Sequence, residues 1–204
     1  RHMVDSQLRT SGINEPWIIQ AMGALPRENF VGADRVAVAY SDRPVPLGAG
    51  RMLNAPMIAG LMLQAAEPSS DDHALLIGAG SGYLAALLVP HVASLIAVED
   101  NAALANQARA SVPTVRFVDA ALNGGYPAGA PYSLIVIDGA IDVLPQAIVD
   151  QIADGGRIIC GLREGAAFRL AKGVKHGAHL ALRAFADAEV APLPGFEAAK
   201  EFVF

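Results

Sequence analysis

An apolar run from Ala74 to Ile77 stops at Gly78, glycines recur at Gly80 and Gly82, and a second apolar segment follows from Tyr83 to Leu88. No other stretch limits the possible folds as much. A short apolar run ended by glycine reads as a buried strand, and the segment after it as a helix. Alternate glycines let the backbone turn sharply between the two, and they leave it bare where a ligand would lie, beside the free N–H groups of the helix start. Glu99, in "SLIAVED", falls 21 residues after Gly78, close to the ~20-residue separation that brings a carboxylate within reach of ribose hydroxyls. A dinucleotide fingerprint would need its third glycine at position 83, which is Tyr83. The G-x-G-x-G spacing therefore points away from NAD and toward a nucleoside-containing cofactor without a pyrophosphate; the plainer alternative is a tight strand-to-helix turn with no ligand.

From Asp72 onward short strands and helices alternate: strands at Ala74–Ile77, Ser94–Val98, Val115–Val118, Leu134–Ile137 and Arg157–Cys160, helices at Gly82–Leu88, Ala102–Ser111 and Pro145–Ala153. Alternation of this kind implies right-handed βαβ units around a parallel sheet. Composition agrees, because 53% hydrophobic and 17% charged residues suit strands covered on both faces. The 204 residues are expected to form one domain: a helical, loop-rich preface over 1–71, a βαβ core over 72–161 and antiparallel tail strands over 162–204. In the preface, helices are expected over Val4–Gly12, Asn14–Leu25 and Ala55–Glu67. In the tail, two strands turn at His176-Gly177, and "KEFVF" reads as a final edge strand.

A net charge of -5 provides no overall basic field for nucleic acid or an anionic membrane. No apolar stretch reaches the ~18 residues of a membrane span, and the opening "RHMVDSQLRT" lacks the apolar centre of a signal peptide, so a reducing cytoplasm is the expected setting. The single cysteine, Cys160, sits in a strand-like context and reads as a small buried hydrophobe. His176 and His179 flank a turn without a third ligand and read as surface residues, so no metal is expected.

With these residues in hand, the chain resembles S-adenosylmethionine-dependent methyltransferases, and within them the protein-L-isoaspartate (D-aspartate) O-methyltransferase family. The likeness is carried by "QLRTSGI", "AMGALPRENFV", "AYSDRPVPLGAG", "IGAGSGYLAALL", "APYSLIVIDGA" and "QIADGGRII", in that order, over about Val4 to Gly161. It implies a Rossmann-like class I methyltransferase fold, α/β, with a mostly parallel central sheet, helices on both faces and the helical preface. It also implies that Gly78, Ala79, Gly80, Ser81 and Gly82 hold the methionine part of S-adenosyl-L-methionine, with Tyr83 as a wall, and that Glu99 binds the ribose. The loop Gly50 to Asn54 would cover the cofactor and admit an isoaspartyl residue of a protein or peptide, whose carboxylate accepts the methyl group. That carboxylate, with a pKa near 4, is already anionic at neutral pH and needs no general base.

Four motifs depart from the family pattern. The covering loop, usually G-x-T-x-S, is Gly50-Arg51-Met52-Leu53-Asn54; Arg51 offers a cation and Asn54 an amide to an acidic substrate, with Met52 and Leu53 lining it, while Asn54 is equally suited to cap the helix after Ala55. Leu76 stands where an acidic residue usually precedes the glycines. Ala120-Ala121-Leu122 stands for the usual G-D-G, leaving Asp119 as a substitute or as a solvated strand end. Asp138, in place of a small uncharged residue, is set to face the ligand crevice and hold the cofactor's ammonium, or to order the next turn. Two other function classes stay open on these departures: a non-catalytic relative that senses a ligand or binds a partner, and a methyltransferase for another acceptor.

Overall fold

The computed structural model describes residues 2–198; the edge strand expected in "KEFVF" lies outside the described residues. A two-stranded hairpin, β1 (Val45–Gly48) and β2 (Arg51–Leu53), stands apart from the main sheet. The main sheet contains β3 (His73–Ile77), β4 (Ser94–Glu99), β5 (Arg116–Asp119), β6 (Tyr132–Ile141), β7 (Ile152–Glu164), β8 (Ala167–His176), β9 (His179–Leu180) and β10 (Arg183–Asp187). Its order is β10-β8-β7-β6-β3-β4-β5, with β9 pairing on β8. Strands β3 to β7 are parallel, and β8 and β10 extend the sheet with antiparallel pairings. The chain thus runs outward from β3 through β4 to β5 and then returns to β6 on the other side of β3. That reversal opens a crevice at the carboxyl ends of β3 and β6, where open α/β sheets bind ligands.

Among the described residues five α-helices accompany the strands: α1 (Pro16–Ala24), α2 (Pro56–Ala66), α3 (Tyr83–Leu88), α4 (Ala102–Ser111) and α5 (Gln146–Val149). Both α1 and α2 begin with proline, which has no N–H to leave unpaired there. The α4 start is closed by the Asn101 side chain, which accepts from the N–H groups of Ala103 and Leu104 at 3.1 Å each. Apolar clusters fill both faces of the sheet: Leu76, Ala97, Phe117 and Val136 on the side of α2 and α3, and Leu75, Ile77, Val98 and Ile137 on the other. Single strand residues alternate between these clusters, as the two-residue period requires.

Several expected elements change. The first helix is a widened turn, Val4–Leu8, followed by a tight one, Arg9–Ser11. Only Gln146–Val149 of the segment Pro145–Ala153 is helical, because Ile152 already pairs with Tyr132 and opens β7. Strands β6 and β7 run several residues beyond Leu134–Ile137 and Arg157–Cys160, and their pairing slips between Val136 and Ala140. A bulge thus falls beside the crevice, a common place for one.

A polar junction at the amino ends of the strands joins α2 to the sheet. Asp72 accepts from Arg157 (2.6 and 3.0 Å), from the Ser133 hydroxyl (2.7 Å) and from the Ser69 N–H (2.7 Å), while Arg157 also donates to the Ala66 carbonyl. Burial works against the charge on Asp72, but the Arg157 and Ser133 bonds outweigh it and hold the carboxyl below its ordinary value. A carboxyl lowered in the folded state stabilises the fold above its unfolded pKa, ~3.9, and loses that contribution as pH falls through the folded value. Asp72→Asn is expected to cost about 3 kcal/mol in urea unfolding at pH 7 and to flatten the fall in stability below about pH 4. Cys160 is wholly buried, and burial pushes its thiol up to about 12. The native protein should therefore resist a thiol reagent at pH 8, and labelling should follow unfolding in denaturant.

Candidate active site

Strand register brings the site together. Ile77 of β3 is level with Val98 of β4 and with Ile137 of β6, so the next residues, Glu99, Gly78 and Asp138, form a row across the crevice. Gly78, Gly80 and Gly82 all take positive φ, at 79°, 54° and 96°, a conformation that side chains disfavour. At Gly82 a β-carbon would also lie 3.2 Å from the backbone of Ala108 in α4. The turn is pinned by two bonds, from the N–H groups of Gly78 and Ala79 to the Val98 carbonyl, at 3.0 and 3.1 Å.

Glu99 has no exposed surface. One carboxylate oxygen accepts from Arg51 Nη1 (2.5 Å) and from the N–H groups of Asp100 (3.1 Å) and Asn101 (3.0 Å), and the other accepts from the Gly80 N–H at 2.6 Å. Burial pushes the Glu99 carboxyl above its usual range, and Arg51, with the Asn101 and Gly80 N–H groups, pulls the other way. All four donors address the ionised form. Arg51, 5% exposed on β2, also reaches Asp100 Oδ1 at 3.1 Å.

A second polar group lies beside the first. Asn54 donates its amide to Asp138 Oδ1 at 2.8 Å and accepts the Ala191 N–H at 2.8 Å. It does not cap α2, whose flanking residue is Ala55. Burial raises the Asp138 carboxyl, against the Asn54 bond and the Arg51 charge. The wholly buried Arg27 donates to the carbonyls of Ala39 and Asn54, and its guanidinium stacks 4.7 Å from the centre of the Tyr83 ring. Arg27 Nη1, Tyr83 Oη and Ser81 Oγ are buried with no hydrogen-bond partner among the described residues.

The crevice has an apolar cover. Residues 190–196 run over the ends of β6 and β7, fixed by Ala140 N–H to the Ala191 carbonyl (2.8 Å) and Leu193 N–H to the Ala140 carbonyl (2.9 Å). Leu193 lies against Gly78 and Gly139, and Leu47 of β1 against Gly80.

Arg51, Asn54, the glycine turn, Tyr83, Glu99 and Asp138 are thus brought together. Met52 is half-buried and Leu53 buried on β2, so the segment expected as loop is in part a strand. Asp119 is level with Glu99 in the β4–β5 register, and its exposed carboxylate pairs with Arg109 of α4 at 2.7 Å. Ala120 follows it, half-buried against the opposite apolar cluster. Leu76 is wholly buried core. Arg27, Leu47, Ala191 and Leu193 carry no local signal in the sequence, since each joins the site through a contact distant along the chain. A cleft of about 780 Å³ lies elsewhere, lined by Lys172, His176, His179 and Arg183 around β8 to β10.

A family model described as protein-L-isoaspartate(D-aspartate) O-methyltransferase matches residues 1–194. A protein-L-isoaspartate O-methyltransferase of Methanoculleus marisnigri is 40% identical over 162 residues, 77% of this chain and 74% of that protein. A solved structure named protein-L-isoaspartate O-methyltransferase superposes with a TM-score of 0.79 at 20% identity; the match covers 92% of this chain but spans only 64% of that one. A Plasmodium falciparum structure of the same description, in complex with S-adenosyl-L-homocysteine, superposes with a TM-score of 0.79 at 18% identity, covering 94% and 96% of the two chains. The structural matches speak for the fold and the sequence matches for descent: the chain belongs to the protein-L-isoaspartate(D-aspartate) O-methyltransferase family.

Proposed function

We propose that this chain transfers a methyl group from S-adenosyl-L-methionine to the free carboxylate of isoaspartyl residues in proteins and peptides. The reading rests on one observation above the others: a glycine turn with three positive φ angles lies level with the buried carboxylate of Glu99 at the point where the strand order reverses. Family membership supports the same reading.

The residues fit this cofactor by their own chemistry. Glu99 is a buried carboxylate suited to accept from two ribose hydroxyls, and Gly78 and Gly80 present backbone without a β-carbon. Ser81 Oγ, Tyr83 Oη and Arg27 Nη1, buried without partners among the described residues, are polar atoms of the kind a ligand satisfies. Asp138 is the anion assigned to the cofactor's ammonium, replacing the carboxylate absent at Leu76. The bound cofactor supplies an electrophilic methyl on a sulfonium, and its carbon–sulfur bond breaks as the new carbon–oxygen bond forms.

What the protein contributes is alignment and dryness. The acceptor is ionised at neutral pH, so no side chain has to remove a proton. Leu47 and Leu193 exclude water from the glycine turn, which strengthens every charge interaction beneath them. Arg51 and the Asn54 amide are the donors assigned to the acceptor carboxylate. The setting in this proposal is the reducing cytoplasm, supported by a lone, buried thiol at Cys160. No helix among the described residues is long and apolar enough to cross a membrane.

The test is transfer of labelled methyl from S-adenosyl-L-methionine to two peptides that differ only in an isoaspartyl or an ordinary aspartyl linkage. Base-labile methyl ester is expected on the isoaspartyl peptide alone, and equal labelling of both, or of neither, overturns the reading. Glu99→Gln is expected to weaken S-adenosyl-L-homocysteine binding about 10-fold or more by calorimetry, since bonds to a charged acceptor are worth about 1.5–3 kcal/mol.

A further inference from the structure

Glu99 already has a full set of partners. Its two oxygens accept four donors, three of them backbone N–H groups of its own strand end and of the glycine turn, and the fourth is Arg51 Nη1 at 2.5 Å. The backbone donors are part of the turn. Arg51 comes from 48 positions away, on a hairpin outside the main sheet. Its Nη2 lies 3.3 Å from the point where a β-carbon on Gly78 would stand. The guanidinium therefore occupies the ground between Gly78 and Glu99, the two groups to which the function proposed above assigns one ligand.

We propose that Arg51 is an internal competitor of the cofactor at Glu99, and that once displaced it is the cation that holds the substrate's carboxylate. The inference rests on the proposed function and deepens it. Ribose hydroxyls and a guanidinium cannot both occupy the same side of one carboxylate, so binding of the cofactor moves Arg51 off Glu99. Arg51 is 5% exposed, and its one other carboxylate contact among the described residues, Asp100 Oδ1 at 3.1 Å, is made by the same nitrogen. A buried cation deprived of its anion is costly, and an anionic substrate entering the same crevice relieves that cost. Cofactor and isoaspartyl peptide then bind in that order, and each strengthens the other by the same factor, because coupling between sites is reciprocal.

Calorimetry on the whole chain tests both halves. S-adenosyl-L-homocysteine is the probe because its sulfur is uncharged, so a gain on removing Arg51 does not reflect relief of repulsion with a sulfonium. Arg51→Gln is expected to bind it about 10-fold more tightly than the original chain, and the loaded variant to bind an isoaspartyl peptide about 10-fold more weakly, within the usual range of couplings. Arg51→Lys, which keeps the charge without the forked geometry, should fall between the two in both measurements. Unchanged or weaker S-adenosyl-L-homocysteine binding by a folded Arg51→Gln protein overturns the inference, as does unchanged peptide binding. Failure of both variants to fold also overturns it, since the pair would then belong to the fold. If neither the original chain nor Arg51→Gln binds the probe, the proposed function falls first and this inference with it.

Discussion

The site depends on the alignment of three neighbouring strand ends. Because β3 lies between β4 and β6 in parallel register, the residue after Ile77 is flanked by the residues after Val98 and Ile137. With glycine in the middle, two carboxylates face each other across bare backbone, and that arrangement is unfavourable unless cations and N–H groups come to them. Much of the remaining architecture supplies these partners. The β1–β2 hairpin delivers Arg51, the preface delivers Arg27 and Asn54, and the turn itself presents the Gly80 N–H. Two guanidiniums placed among the buried groups offset the two carboxylates, which keeps the charges tolerable inside an apolar sheet.

The departures from the family's usual sequence read differently with this arrangement in view. Leu76 is fully enclosed core, and a carboxylate there would have to be solvated or paired where apolar side chains now meet. One strand over, Asp138 carries a buried carboxyl, and Asn54 of the covering segment is its hydrogen-bond donor across 84 positions. Asp119, next to Glu99 in the register, has its carboxylate turned to Arg109 on α4.

The α/β class, the strand–turn–helix at Gly78 and the placement of Glu99 were legible in the sequence because each is written in local periodicity and in a fixed spacing along the chain. The β1–β2 hairpin was not. Its strands are four and three residues long in a segment rich in Pro and Gly, too short for any period to show. The helix expected over Pro145–Ala153 failed for a similar reason: the apolar residues there fit either element, and pairing of Ile152 with Tyr132 decided for strand. Arg27 and Leu193 could not be read as site residues at all, since their roles arise from tertiary contacts that no local pattern encodes.

Residues 190–196 bring a consequence of their own. They follow every other part of the site in the chain, yet Ala191 ties to Asn54 across 137 positions, and Leu193 closes over the glycine turn. On the ribosome the sheet's inner strands can pair well before this segment emerges. For that interval the nascent protein has a formed scaffold whose ligand crevice is still roofless, because the cover is a short strap that joins the site after the sheet's inner strands.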